Sequence, residues 1–66
     1  MDIILEGIKD AIEDEISAQK KYKALKKETD DDKLKALFEQ LIKDEKEHEK
    51  ILKSRYKAVK KIRENE

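Results

Sequence analysis

Sixty-six residues form one domain at most, and a chain this short buries too little apolar surface to be stable without added support. The absence of Cys excludes disulfides, zinc–thiolate sites and iron–sulfur clusters, which leaves oligomerisation or a metal bound by oxygen and imidazole ligands. Charged residues make up 52% of the chain, but 17 acidic and 17 basic residues cancel, so we expect no nucleic-acid partner.

The sequence predicts a first helix over about residues 2–28. Pro is absent, the only Gly is Gly7, and Lys, Glu, Leu, Ile and Ala favour helix throughout. Residues spaced alternately three and four apart form one stripe along this helix, as in the apolar seam of a helix bundle. The stripe comprises Ile4, Ile8, Ala11, Glu15, Ala18, Tyr22 and Leu25.

The helical pattern breaks once, at Thr29-Asp30-Asp31-Asp32, where four residues compete for backbone hydrogen bonds. We predict a turn over about residues 29–31 and a second helix over about 32–64, because Asp at a helix start satisfies free backbone amides. The stripe of this helix comprises Leu34, Phe38, Leu41, Glu45, His48, Leu52, Val59 and Ile62. Arg55 also falls in the series, with Tyr56 as the alternative inward residue.

The short connection makes the two helices antiparallel neighbours. The predicted fold is therefore all-α: a single domain over residues 1–66, folded as an antiparallel two-helix hairpin. Two such hairpins can pair their apolar stripes and form a four-helix bundle.

Three ionisable residues lie on the apolar stripes: Glu15, Glu45 and His48. Burying a carboxylate is costly unless it is paired or binds a metal, so these positions require partners. Glu15 lies fifteen residues before Asp30 and Glu45 fifteen after it, so an antiparallel hairpin brings the two together. His48 follows Glu45 by one turn on the same face. The three residues are therefore candidate ligands of one metal site.

These three residues make up half of a known kind of site. A di-iron carboxylate site in a four-helix bundle takes a Glu from each of two helices and a Glu-x-x-His pair from each of the other two. We therefore expect a homodimer or a larger even-numbered oligomer. The alternative is a metal-free helical self-association module in which Glu15, Glu45 and His48 are semi-exposed. A specific form of this alternative makes His48 a core histidine hydrogen-bonded to Asp44 or Glu15.

The chain resembles the ferritin-like superfamily, specifically rubrerythrin-type proteins and, more closely, encapsulated ferritins, over roughly residues 11–52. In the first helix the resemblance rests on a Glu followed by Ala three residues later and Tyr seven residues later. In the second it rests on an acidic helix that carries Glu-x-x-His. The matching segments are Glu15-Ile-Ser-Ala18-Gln-Lys-Lys-Tyr22, Leu37-Phe38-Glu39, Asp44-Glu45-Lys46-Glu47-His48 and Ile51-Leu52.

The resemblance implies a ferritin-like four-helix bundle whose di-iron site is ligated by Glu15, Glu45 and His48. It further implies a ferroxidase-type oxidoreductase that oxidises Fe(II) with dioxygen or peroxide, with Mn or Zn as substitute metals. Rubrerythrin-like peroxide reduction with an external electron donor needs the same ligands and stays open. Tyr22, two turns from Glu15, either serves catalysis by hydrogen-bonding a ligand or donating an electron, or is a packing tyrosine.

No apolar run exceeds three residues, the length of Ile3-Ile4-Leu5, which is far shorter than the ~20 residues that span a bilayer and shorter than a signal-peptide core. We therefore expect a cytoplasmic protein without a membrane partner. The resemblance to encapsulated ferritins adds the interior of an encapsulin shell as a location.

Overall fold

The computed structural model describes residues 2–66 as two α-helices joined by a turn. Helix α1 spans Ile3–Lys27 and helix α2 spans Asp32–Glu64. The sequence predicts 2–28 and 32–64, which differ from these bounds by one residue at each end of α1. Met1, the first residue of the predicted domain, lies outside the described residues.

Backbone and side-chain hydrogen bonds in the turn satisfy polar groups that are left without partners at the helix ends. The backbone N–H of Glu28 donates to the carbonyl of Leu25, closing α1, and the hydroxyl of Thr29 accepts from the backbone N–H of Asp31. The Asp31 carboxylate accepts from the second and third backbone amides beyond it, at 2.8 and 3.3 Å, and so caps α2. The predicted helix start at this run of Asp residues is confirmed.

Two ion pairs tie the helices together near opposite ends of the hairpin. Asp2 Oδ2 lies 3.0 Å from Arg63 Nε, and Lys26 Nζ donates to Glu39 Oε2 at 2.6 Å. The hydrogen bond and charge of Lys26 lower the pKa of Glu39. Because the start of α1 pairs with the end of α2, the helices run antiparallel, and the predicted all-α hairpin is confirmed.

The hairpin is a single layer with almost no enclosed core. Its Cα atoms extend 53 × 17 × 9 Å, so nothing covers either broad side of the helix pair. Among residues 2–66, only Gln19 and Ile42 are buried, at 7% and 3% exposure. A chain with so small a core needs a partner or a ligand for stability, as its length predicts.

One broad side of the hairpin, termed here the open face, carries exposed large apolar side chains. By helical spacing these residues lie on the same sides of their helices as Glu15 and His48. They are Ile4, Leu25, Leu34, Leu37, Ile51 and Ile62. Arg55 is exposed and Tyr56 is half-buried, so of the two residues that the sequence leaves open for the inward place, the structure selects Tyr56.

Within residues 2–66, neither helix has the length and apolar character needed to cross a membrane.

Candidate metal centre

Glu15, Glu45 and His48 converge near the middle of the hairpin. Glu15 extends from α1, and Glu45 and His48 extend from successive turns of α2. Each offers one ligand atom, and these three atoms all lie within 4.8 Å of one another. The structure therefore brings together the three residues that the sequence singles out, on two helices that fix their spacing rigidly.

The distances between the ligand atoms suit a shared cation. His48 Nδ1 lies 3.5 Å from Glu15 Oε2 and 3.6 Å from Glu45 Oε2. These separations exceed those of good hydrogen bonds. Bonds of about 2.1 Å from one ion to two ligands hold those ligands about 3–3.5 Å apart. The three side chains could therefore bind one ion after only small adjustments.

One oxygen of the cluster has no hydrogen-bond partner among residues 2–66, although it lies 3.5 Å from His48 Nδ1. Glu15 Oε2 is buried and accepts no hydrogen bond. A buried acceptor without a hydrogen bond costs about 1–3 kcal/mol, and a charged one costs more. A cation at this position would satisfy the atom. Two carboxylates and an imidazole suit iron, manganese or zinc, so the donor chemistry fits the metals that the resemblance implies.

Exposure differs sharply among the three candidate ligands. The side chains of Glu15 and Glu45 are 23% and 17% exposed, whereas that of His48 is 55% exposed. In the single chain His48 is therefore an exposed side chain, whereas the two carboxylates are half-buried. Asp44 Oδ1 accepts a hydrogen bond from Gln40 Nε2 at 2.9 Å, so this oxygen is already paired with a residue other than His48. His48 extends toward the open face, where a second chain would cover it.

The other residues discussed for this site differ in their placement. Tyr22 is half-buried on α1, two turns beyond Glu15, and its catalytic role stays a prediction. Glu13 and Asp14 are exposed neighbours of Glu15. They provide matched acidic controls because they share its helix but not its contacts.

A polar cluster of Gln19, Glu49 and Lys53 lies next to the candidate ligands and is not among the residues that the sequence singles out. Gln19 Nε2 donates to Glu49 Oε1 at 2.7 Å, and Lys53 Nζ donates to Glu49 Oε2 at 2.5 Å. Hydrogen bonds from Lys53 and then Gln19 lower the pKa of Glu49. A signal was present in the sequence, because Gln19 and Glu49 each follow a candidate ligand glutamate by four residues.

An open groove of about 480 Å³ near the turn contains none of the three candidate ligands. Five lysines and only two carboxylates line it, and one of those carboxylates, that of Glu39, is paired with Lys26, so the groove suits a cation poorly. The residues that line it are Lys23, Lys26, Lys27, Thr29, Asp30, Lys35, Glu39, Ile42 and Lys46.

Comparison with protein families places the three candidate ligands within a match to one family. Residues 6–66 match the family model described as Rubrerythrin, and this range includes α2, all of α1 except its first three residues, and the three candidate ligands. No curated protein and no solved structure matches the chain significantly.

Proposed function

Because the chain belongs to the rubrerythrin family, a ferritin-like family whose members typically bind iron, we propose that its dimer oxidises Fe(II) to Fe(III). The proposed site is a di-iron centre at the dimer interface. Each chain supplies Glu15, Glu45 and His48.

The observation that carries this proposal is the convergence of Glu15, Glu45 and His48, which offer ligand atoms within 4.8 Å of one another. The buried Oε2 of Glu15, which has no hydrogen-bond partner, lies 3.5 Å from His48 Nδ1. A purely structural cluster of two acids and an imidazole would be expected to satisfy its buried oxygen internally. Here that oxygen is aimed at the same point as Glu45 and His48. The arrangement supports a bound cation more strongly than a set of hydrogen bonds.

The dimer follows from two features of a single chain. Three ligand residues are half of the set that a bridged pair of irons takes in a four-helix bundle. The open face leaves large apolar side chains and His48 uncovered on the side to which the ligands extend. A second copy placed there across a twofold axis would bury the apolar residues and add the missing ligands.

Each ligand has a distinct task in the proposed site. The carboxylates of Glu15 and Glu45 offset the positive charge and can bridge two ions, and the neutral imidazole of His48 provides a nitrogen ligand. Iron supplies the redox chemistry: two Fe(II) ions give up two electrons, and dioxygen takes those electrons and two protons to become hydrogen peroxide. The rigid helices hold the ligands at fixed spacing before and after oxidation.

The test is the rate of iron oxidation in matched variants. After Fe(II) is added in air, the absorbance of ferric species should rise with the parent protein and with Glu13→Ala and Asp14→Ala, because those side chains are exposed and outside the cluster. Glu15→Ala should oxidise iron no faster than buffer. Oxidation by Glu15→Ala at the parent rate would contradict the proposed ligand set.

A further inference from the structure

A buried amide lies one helical turn beyond the candidate ligands. Gln19 follows Glu15 by four residues on α1, and its partner Glu49 follows Glu45 by four residues on α2. The hydrogen bond between them joins the two helices that carry the ligands. Gln19 is 7% exposed, which makes it one of the two buried residues in the described part of the chain.

A polar residue is a costly choice for the most buried position of α1. An apolar side chain there would add hydrophobic stabilisation, whereas a buried amide must find a partner to avoid a penalty. Apolar contacts tolerate sliding of one helix along another, but a hydrogen bond between two particular side chains is made in one relative position only. Single buried polar residues fix helix register in coiled coils at a cost in stability.

The same contacts also engage a carboxylate that lies close to the candidate site. Glu49 is adjacent to His48 in sequence, and its two oxygens accept from Gln19 and Lys53. Glu15 Oε2, in contrast, has no hydrogen-bond partner. Glu49 and Glu15 therefore differ, because both oxygens of Glu49 are hydrogen-bonded within the chain whereas one buried oxygen of Glu15 is not.

We propose that Gln19 is a positioning residue of the metal site. Its hydrogen bond to Glu49 fixes the register of α1 against α2, so that Glu15 reaches Glu45 and His48, and it holds the Glu49 carboxylate away from the ligand set. This inference rests on the proposed function, because it assumes that those three side chains bind metal.

The experiment measures Co(II) affinity by titration of the purified full chain, with melting temperature and light scattering recorded for every variant. Gln19→Leu removes the hydrogen bond and fills the space. Gln19→Glu places a second carboxylate against Glu49. The double replacement Gln19→Glu with Glu49→Gln exchanges the two groups and allows the hydrogen bond to form in the opposite direction. Lys26→Met is the control, since it breaks a cross-helix contact that involves none of the three candidate ligands.

Both single variants at Gln19 should bind Co(II) about tenfold more weakly than the parent, as is typical for groups that support metal ligands. The exchanged pair should recover most of that loss, and Lys26→Met should keep the parent affinity. Rescue by exchange would not follow from the size or polarity of residue 19 alone, so it separates positioning from general stabilisation.

Three results would overturn the inference. The first is parent-like affinity in Gln19→Leu and Gln19→Glu. The second is an exchanged pair no better than the single variants, and the third is an equal loss in Lys26→Met. If the parent itself bound no Co(II), the proposed function would fail and this inference with it, which is a different outcome from a parent that binds and variants that are unaffected.

Discussion

Replacing Glu15 by Leu should stabilise the metal-free protein and abolish its stabilisation by metal. The side chain is 23% exposed, and its buried Oε2 has no hydrogen-bond partner and only a 3.5 Å contact with His48 Nδ1, so its desolvation is offset only in part in the metal-free fold. Leu occupies a similar volume without polar atoms. Removing a buried unsatisfied acceptor is worth about 1–3 kcal/mol.

The magnitude can be followed as a melting temperature. In a domain of this size, a free energy change of 1 kcal/mol shifts the melting temperature by roughly 4–8 °C, so the metal-free variant should melt at least about 4 °C above the parent. The parent should gain about 2.7 kcal/mol when metal is present at one hundred times its dissociation constant, and the variant should gain nothing. Zn(II) is a suitable probe because it has no redox chemistry.

Circular dichroism melts at one protein concentration, with and without Zn(II), provide the assay. The matched control is Glu13→Leu, an exposed acid on the same helix, which should stay within about 0.5 kcal/mol of the parent and keep its response to metal. A Glu15→Leu protein that melted below the metal-free parent, or that Zn(II) still stabilised, would refute the reasoning from the unpartnered oxygen.

Three further predictions address the ligands, the open face and the ion pair. The double replacement Glu45→Ala with His48→Ala should abolish metal binding by elemental analysis and leave a helical dimer by light scattering; stoichiometric iron in that protein would contradict the assignment. Leu37→Glu should yield a monomer in light scattering that binds metal weakly, because Leu37 is 53% exposed in one chain and a buried charge would oppose pairing. The lowered pKa of Glu39 means that the Lys26 contact stabilises the fold above the ordinary carboxyl pKa and that this stability is lost as pH falls through the lowered value. Lys26→Met should therefore melt below the parent at neutral pH, and a difference that did not shrink under acid would contradict that origin.

The hairpin was predictable because local signals agree with one another. Helix-favouring residues occupy nearly the whole chain, and the run from Thr29 to Asp32 supplies both the interruption and the cap of α2. The convergence of Glu15, Glu45 and His48 was predictable because ionisable residues on an apolar stripe are restricted to few positions.

The remaining features depend on packing that a periodic pattern does not encode. Gln19 is buried and hydrogen-bonded to Glu49, but in a sequence that is half charged the only sign of this pair is its spacing of four residues from Glu15 and Glu45. Which of Arg55 and Tyr56 faces inward depends on the gradual rotation of a stripe with regular spacing around a helix of 3.6 residues per turn. Leu37 and Ile51 are exposed on the open face but lie outside the predicted stripes, because a single stripe per helix does not mark a second apolar side.

Native mass spectrometry after anaerobic addition of Fe(II) tests the central claim most directly, since it reports oligomeric state and bound metal together. The proposed site predicts a dimer that carries two iron ions and a monomer that carries none, with the iron lost in Glu15→Ala and kept in Glu13→Ala. Iron bound to a monomer, or a dimer that binds none, would contradict the claim that two copies of Glu15, Glu45 and His48 build one di-iron centre.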